Sequence, residues 1–196
     1  MNKSSLRLSH RALLAFGLLA VVMLTGCAQI KLGTPVASIE NIQKAKASGM
    51  PPSSVGDFVL AKGKPATLDT RISVRSNSVS SPYDQSFAKY LKETLSTDLQ
   101  AAGLLNPASS TVIKGELTDS QIDPAIGTGS GKVAARFTVT KAERQVFDKE
   151  FVAESKWESS FVGGVAIPRA INEYTALYRA LVSKLLDDPA FRAAVK

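Results

Sequence analysis

The chain has 196 residues, 44% hydrophobic and 21% charged, with 24 Lys and Arg against 17 Asp and Glu for a net charge of +7. Its only cysteine is Cys27 and its only histidine is His10. Everything after residue 27 is therefore without thiol or imidazole, which excludes structural disulfides, Cys/His metal sites and Ser-His-Asp or Cys-His catalysis from that part of the chain.

Residues 1 to 11 carry Lys3, Arg7 and Arg11 and no acid, and Ala12 to Leu24 form an apolar run of 13 residues broken only by glycine. These are the basic and hydrophobic regions of a secretory signal, 1–26. The run is too short for a permanent span, which takes about 20 apolar residues. The next residues, Leu24-Thr25-Gly26-Cys27, resemble the lipobox of bacterial lipoproteins. That resemblance implies that Cys27 becomes the first mature residue and receives lipid on its thiol (palmitate among the acyl groups). Ala28 and Gln29 follow it where an Asp would imply retention, so the resemblance implies the outer membrane, on its periplasmic face. Several acyl chains, at about 0.8 kcal/mol per buried methylene, hold far more firmly than one. Losing the signal removes three positive charges, leaving +4, and takes His10 with it. No Lys/Arg run exceeds two residues, which argues against a nucleic-acid partner.

The mature chain, about 170 residues, is long enough for one domain with a sizeable core. Residues 27–55 read as the lipidated cysteine and a tether, ending in the turn-forming run Gly49-Met50-Pro51-Pro52. Within them a short helix from Ser38 carries Glu40 and Lys44 at i,i+4 and stops at Gly49. The single globular domain is placed at 56–196. Asp57–Ala61 and Arg71–Arg75 read as short strands, with Gly63 and Pro65 breaking the chain between them. A helix follows, with Ser81 as cap, Pro82 first and Asp84 completing a capping box. Phe87, Tyr90, Leu91, Leu95, Leu99 and Ala102 form its apolar stripe, and Gly103 closes it.

Thr111–Leu117 alternates as a strand. After a glycine-rich loop, Lys132–Thr140 and Gln145–Trp157 flank a turn at Ala142 to Arg144 as an antiparallel hairpin. In the first of them Val133, Ala135, Phe137 and Val139 share a face. In the second, either Val146 and Lys149 or Phe147, Phe151 and Ala153 face inward. Pro168–Leu186 is the second long helix, buried through Ile171, Tyr174, Leu177, Tyr178, Leu181, Val182 and Leu185, and Asp188-Pro189 starts a terminal turn. The order predicts an α+β fold: a two-layer domain, a mostly antiparallel sheet of about five strands with two long helices packed on one face.

Three stretches invite a chemical reading. "IGTGSGK", Ile126 to Lys132, lacks the Walker A spacing and precedes a strand, so no nucleotide is expected; it reads as a mobile loop between strands. Glu154 with Glu158, or Asp119 with Asp123, could pair acids for wall-glycan hydrolysis, although such pairs are usually solvated. No cofactor and no metal ligands are indicated. In "WESSFVGGVAIP" the apolar Phe161, Val162, Val165 and Ile167 surround Gly163-Gly164. Either this link folds into the core or it is a surface that meets lipid or a partner protein.

The lipobox, tether and strand-helix-strands-helix order together resemble YajG-type and related small periplasmic outer-membrane lipoproteins, a plan shared by auxiliary lipoproteins of ABC-type lipid transport systems. The resemblance implies a non-enzymatic, lipid-anchored envelope protein that binds or scaffolds an assembly or transport system. A lipid-binding auxiliary component is the alternative, and a carboxylate-dependent hydrolase the third reading.

Overall fold

Alternation in one long hairpin and helical stripes in two helices organise the molecule. The computed structural model describes residues 29–196; Cys27 and Ala28, like the signal segment, lie outside the described residues. The strands are β1 (Gln29–Lys31), β2 (Ser54–Leu60), β3 (Ile72–Val74), β4 (Asn77–Ser80), β5 (Thr111–Asp123), β6 (Gly127–Lys141) and β7 (Arg144–Ser159). The helices are α1 (Ile39–Ala47), α2 (Thr67–Thr70), α3 (Phe87–Ala102), α4 (Gly163–Asp187) and α5 (Pro189–Val195).

The mixed α+β character matches expectation, but the single five-stranded sheet does not. There are two sheets, one of four strands in the order β2-β5-β6-β7 and one of three in the order β1-β4-β3. In the larger, β2 joins β5 in parallel while β5, β6 and β7 are antiparallel. In the smaller, β3 and β4 make a tight hairpin across Arg75, whose φ is 55°, and β1 pairs with β4 in parallel. The third strand of that sheet comes from residues expected to be tether.

The tether expectation is corrected over 29–55. Leu32 is buried, and its N–H donates to the Ser80 carbonyl at 2.9 Å. The short helix forms where it was placed: Ser38 Oγ accepts from Asn41 N–H at 3.3 Å, and Lys44 meets Glu40 at 2.6 Å. It packs because a buried carboxylate waits for it. Asp98, on α3, accepts from Ser38 N–H and from Asn41 Nδ2, each at 2.8 Å, and Asn41 Nδ2 also donates to the Arg179 carbonyl on α4 at 3.1 Å. Burial raises the Asp98 pKa above the ordinary carboxylate value, against the lowering pull of these donors. A short polar segment can thus be held by donors and acceptors that no hydrophobic pattern reveals.

The two long helices cover one face of the larger sheet, and aromatic rings fill the space between. Phe137 of β6 meets Phe58 of β2 edge-on at 5.9 Å and Phe151 of β7 at 6.0 Å. Phe87 of α3 meets Tyr174 of α4 at 5.4 Å. On β7 the inward residues are Phe147, Phe151 and Ala153. Lys149 shares their side of the strand yet runs its ammonium out to Asp188 at 2.5 Å, passing over the Phe151 ring, and this is what blurred the alternation.

Helix limits differ in instructive ways. α3 begins at Phe87, capped by Ser86, whose Oγ accepts from Lys89 N–H at 3.1 Å; Asp69 takes the Ala88 N–H at 2.7 Å. The expected Ser81–Asp84 box is not formed, because Asp84 and Gln85 take positive φ in a turn. Gly103 closes α3 in the left-handed conformation, as expected. α4 begins five residues early, at Gly163, with Pro168 inside it. The missing proline N–H would have bonded the carbonyl of Gly164, which still lies in the solvent-facing first turn.

The glycine-rich stretch is not a loop. β5 runs on past a bulge after Leu117 as far as Asp123, and β6 starts at Gly127. Gly129 and Gly131 are strand residues over which other groups lie: a Cβ on Gly129 would stand 2.4 Å from the Trp157 indole, and one on Gly131 would stand 2.9 Å from Leu177 Cδ1. Small residues here admit a large neighbour, not a phosphate.

Asp188 caps α5, accepting from Phe191 N–H at 2.9 Å as well as from Lys149. Burial pushes its carboxyl up, but Lys149 and the α5 N–H groups outweigh this and leave it below the usual value of 3.8. A carboxylate depressed in the folded state stabilises above the unfolded pKa, and that stability is lost as pH falls through the folded value. Asp188→Ala is expected to cost about 1 kcal/mol at neutral pH. Urea unfolding of both proteins should show that gap narrowing below pH 3.8.

Candidate functional site: an apolar tip at one end of the sheet

Seven large apolar side chains are exposed among the described residues, and four of them, Ile126, Phe161, Val162 and Val165, belong to one end of the larger sheet. The β5–β6 turn brings Ile126 there. The corner from β7 into α4 brings Phe161 and Val162, and the first turn of α4 brings Val165. Phe161 is 77% exposed, Ile126 73% and Val165 61%. Between them lies an open groove of about 760 Å³, floored by Ala166 and edged by Glu158 and Arg169. Ile167 turns the other way and packs against the core. Within "WESSFVGGVAIP", Phe161, Val162 and Val165 are exposed, while Ile167 is partly buried against the core.

The corner is fixed by Arg75. Its guanidinium donates from Nη1 to the Phe161 carbonyl at 2.9 Å and from Nη2 to the Ser160 carbonyl. The Arg75 turn of the smaller sheet is thereby bound to the end of the larger one, so Phe161 stands on held backbone. Val162 precedes α4 without any side-chain cap. Sequence reading found the 161–167 stretch through its unusual apolarity. It missed Ile126, hidden in the supposed glycine loop, and Arg75, whose role depends on a contact 86 residues away.

The candidate acids are not brought together as a catalytic pair. Glu154 and Glu158 lie four residues apart on one strand, and so do Asp119 and Asp123, a separation of about 13 Å at roughly 3.3 Å per residue. Glycoside hydrolysis needs carboxyl groups about 5 to 9.5 Å apart. Asp119 instead faces Lys132 at 3.1 Å; burial raises its pKa, but Lys132 and Gln121 bring it below the ordinary value. Lys132, the lysine of the supposed phosphate loop, is engaged in that pair. The hydroxyl chain Ser120–Tyr174–Tyr178, at 2.5 and 2.7 Å, is wholly internal, and burial holds both tyrosines well above their ordinary pKa. It ties α4 to β5 and offers nothing to a substrate.

No protein family model matches the chain, and no curated protein matches it. Solved structures do. A Xanthomonas campestris protein of the DUF330 family superposes with a TM-score of 0.55 at 12% identity, over 85% of this chain and 96% of its own. The likeness is one of fold. A Caulobacter crescentus lipoprotein aligns at 12% identity and TM-score 0.41, over 56% of this chain and 84% of its own. A minor lipoprotein from Acinetobacter baumannii aligns at 12% identity and TM-score 0.38, over 73% and 90%. No helix among the described residues is long and apolar enough to cross a membrane.

Proposed function

We propose that this is a non-enzymatic envelope lipoprotein, held at the periplasmic face of the outer membrane by lipid on Cys27, and that it works by contact through its apolar tip. The observation that carries the reading is the exposure of Ile126, Phe161, Val162 and Val165 at one end of the sheet, with the Ser160–Phe161 corner held by Arg75. An apolar cluster that the fold neither buries nor leaves loose is the usual mark of a surface meeting something else. The filled interior favours contact over internal lipid carriage, since the rings of Phe87, Tyr90, Tyr174 and Tyr178 occupy the layer between sheet and helices.

Phe161→Ser tests it. An exposed phenylalanine contributes little to folding, so the melting temperature should shift by no more than about 2 °C. Recovery of partner or envelope material by pull-down from solubilised membranes should fall several-fold. Unchanged recovery with unchanged stability would remove the tip as the working surface.

A further inference from the structure

The small sheet fixes the end of the domain at which the described chain begins, and so the end from which a lipid on Cys27 would anchor it. β1 runs parallel to β4, with Gln29 opposite Ser78 and Lys31 opposite Ser80. β4 leads away from the hairpin turn at Arg75, so Gln29 lies toward that turn and the chain before it points back to it. The same turn holds the Phe161 corner. Summing one strand spacing of about 4.8 Å, three residues of backbone and one arginine side chain places Gln29 within roughly 25 Å of the apolar tip. Cys27 is two residues further, about 7 Å at full extension. The opposite end of the sheet, the β6–β7 turn at Ala142 and Glu143, lies some 50 Å from the tip along the 16 residues of β7.

An anchor that close, with so little free chain, leaves the tip no room to hang far from the bilayer. We propose that the tip is a membrane-contact surface, with Ile126, Phe161, Val162 and Val165 entering the headgroup–acyl boundary of the same leaflet that takes the lipid of Cys27. This rests on the lipoprotein reading and names the contact: the bilayer itself. The chemistry suits that boundary. Apolar side chains project beside a corner whose Ser160–Phe161 backbone is held by Arg75, and Arg169, paired with Glu173 at 2.7 Å, edges the groove between them. The tip adds a second attachment to the acyl chains and sets the domain end-on to the membrane.

The test uses the full lipidated chain, where Cys27 is acylated and an introduced cysteine is the sole free thiol. Phe161→Cys and Glu143→Cys, both exposed positions, each take an environment-sensitive fluorophore in phosphatidylethanolamine–phosphatidylglycerol vesicles. The label at 161 should be blue-shifted and quenched by spin-labelled lipid at least about twofold more than the label at 143. Vesicle-bound protein whose label at 161 remains as open to an aqueous quencher as that at 143 overturns the proposal and leaves the lipid anchor standing. Protection from the aqueous quencher in native envelopes without quenching by lipid also overturns it, assigning the tip to a protein. A chain that carries no acyl group and does not float with vesicles overturns both readings.

Discussion

Cys27→Ser is expected to abolish acylation and leave an unprocessed precursor. Cys27 is the only thiol in the chain, so no second nucleophile can take its place. A serine hydroxyl at the same position is a far weaker nucleophile than a thiolate at neutral pH. Labelled palmitate should fall to background, and the protein should migrate as the longer, signal-bearing form. The loss of anchoring is large, because each acyl methylene contributes about 0.8 kcal/mol of membrane binding and stable attachment takes more than one chain. The apolar tip alone, with four side chains, cannot substitute for that. Undiminished palmitate on the mutant would refute the anchor at Cys27.

Phe137→Ala is expected to produce the largest loss of stability of any single truncation in the sheet. Phe137 is fully buried in β6, between Phe58 and Phe151. Removing a buried phenylalanine ring costs about 3–5 kcal/mol, partly in transfer and partly in the cavity left behind. For a domain of this size that lowers the melting temperature by about 6–20 °C. Thermal denaturation beside Phe161→Ser makes the comparison internal: one phenylalanine belongs to the core and the other does not. A shift at Phe137 as small as that at Phe161 would mean that the sheet is not packed as described.

Phe137 was legible in the sequence because alternation over Val133, Ala135, Phe137 and Val139 is a local signal. So were the stripe of α3, the glycine stop at Gly103 and the helix at Ser38. What failed was non-local. β1 is three residues long and gains its place only by pairing with β4, some fifty residues on, so nothing within Gln29–Lys31 announces a strand. β4 was overlooked for the same reason. Gly129 and Gly131 looked like loop residues because composition cannot show an indole lying on a strand. At the tip, "SSFVGGVAIP" was visibly out of place, but which of its apolar residues faced out was decided by the start of α4, and Gly163-Gly164 gave no hint that a helix would begin there.

The parallel join of β1 to β4 also has a mechanical side. A pull on the chain ahead of Gln29, such as a lipid on Cys27 would exert, loads the few hydrogen bonds of β1 to β4 in shear, together and not in turn. Three residues make a weak fastening; the next stop is Asp98, which grips Ser38 and Asn41 through charge-assisted bonds worth about 1.5–3 kcal/mol apiece. Once β1 lets go, the nine residues from Gln29 to Ala37 reach at most about 30 Å from the helix that Asp98 holds.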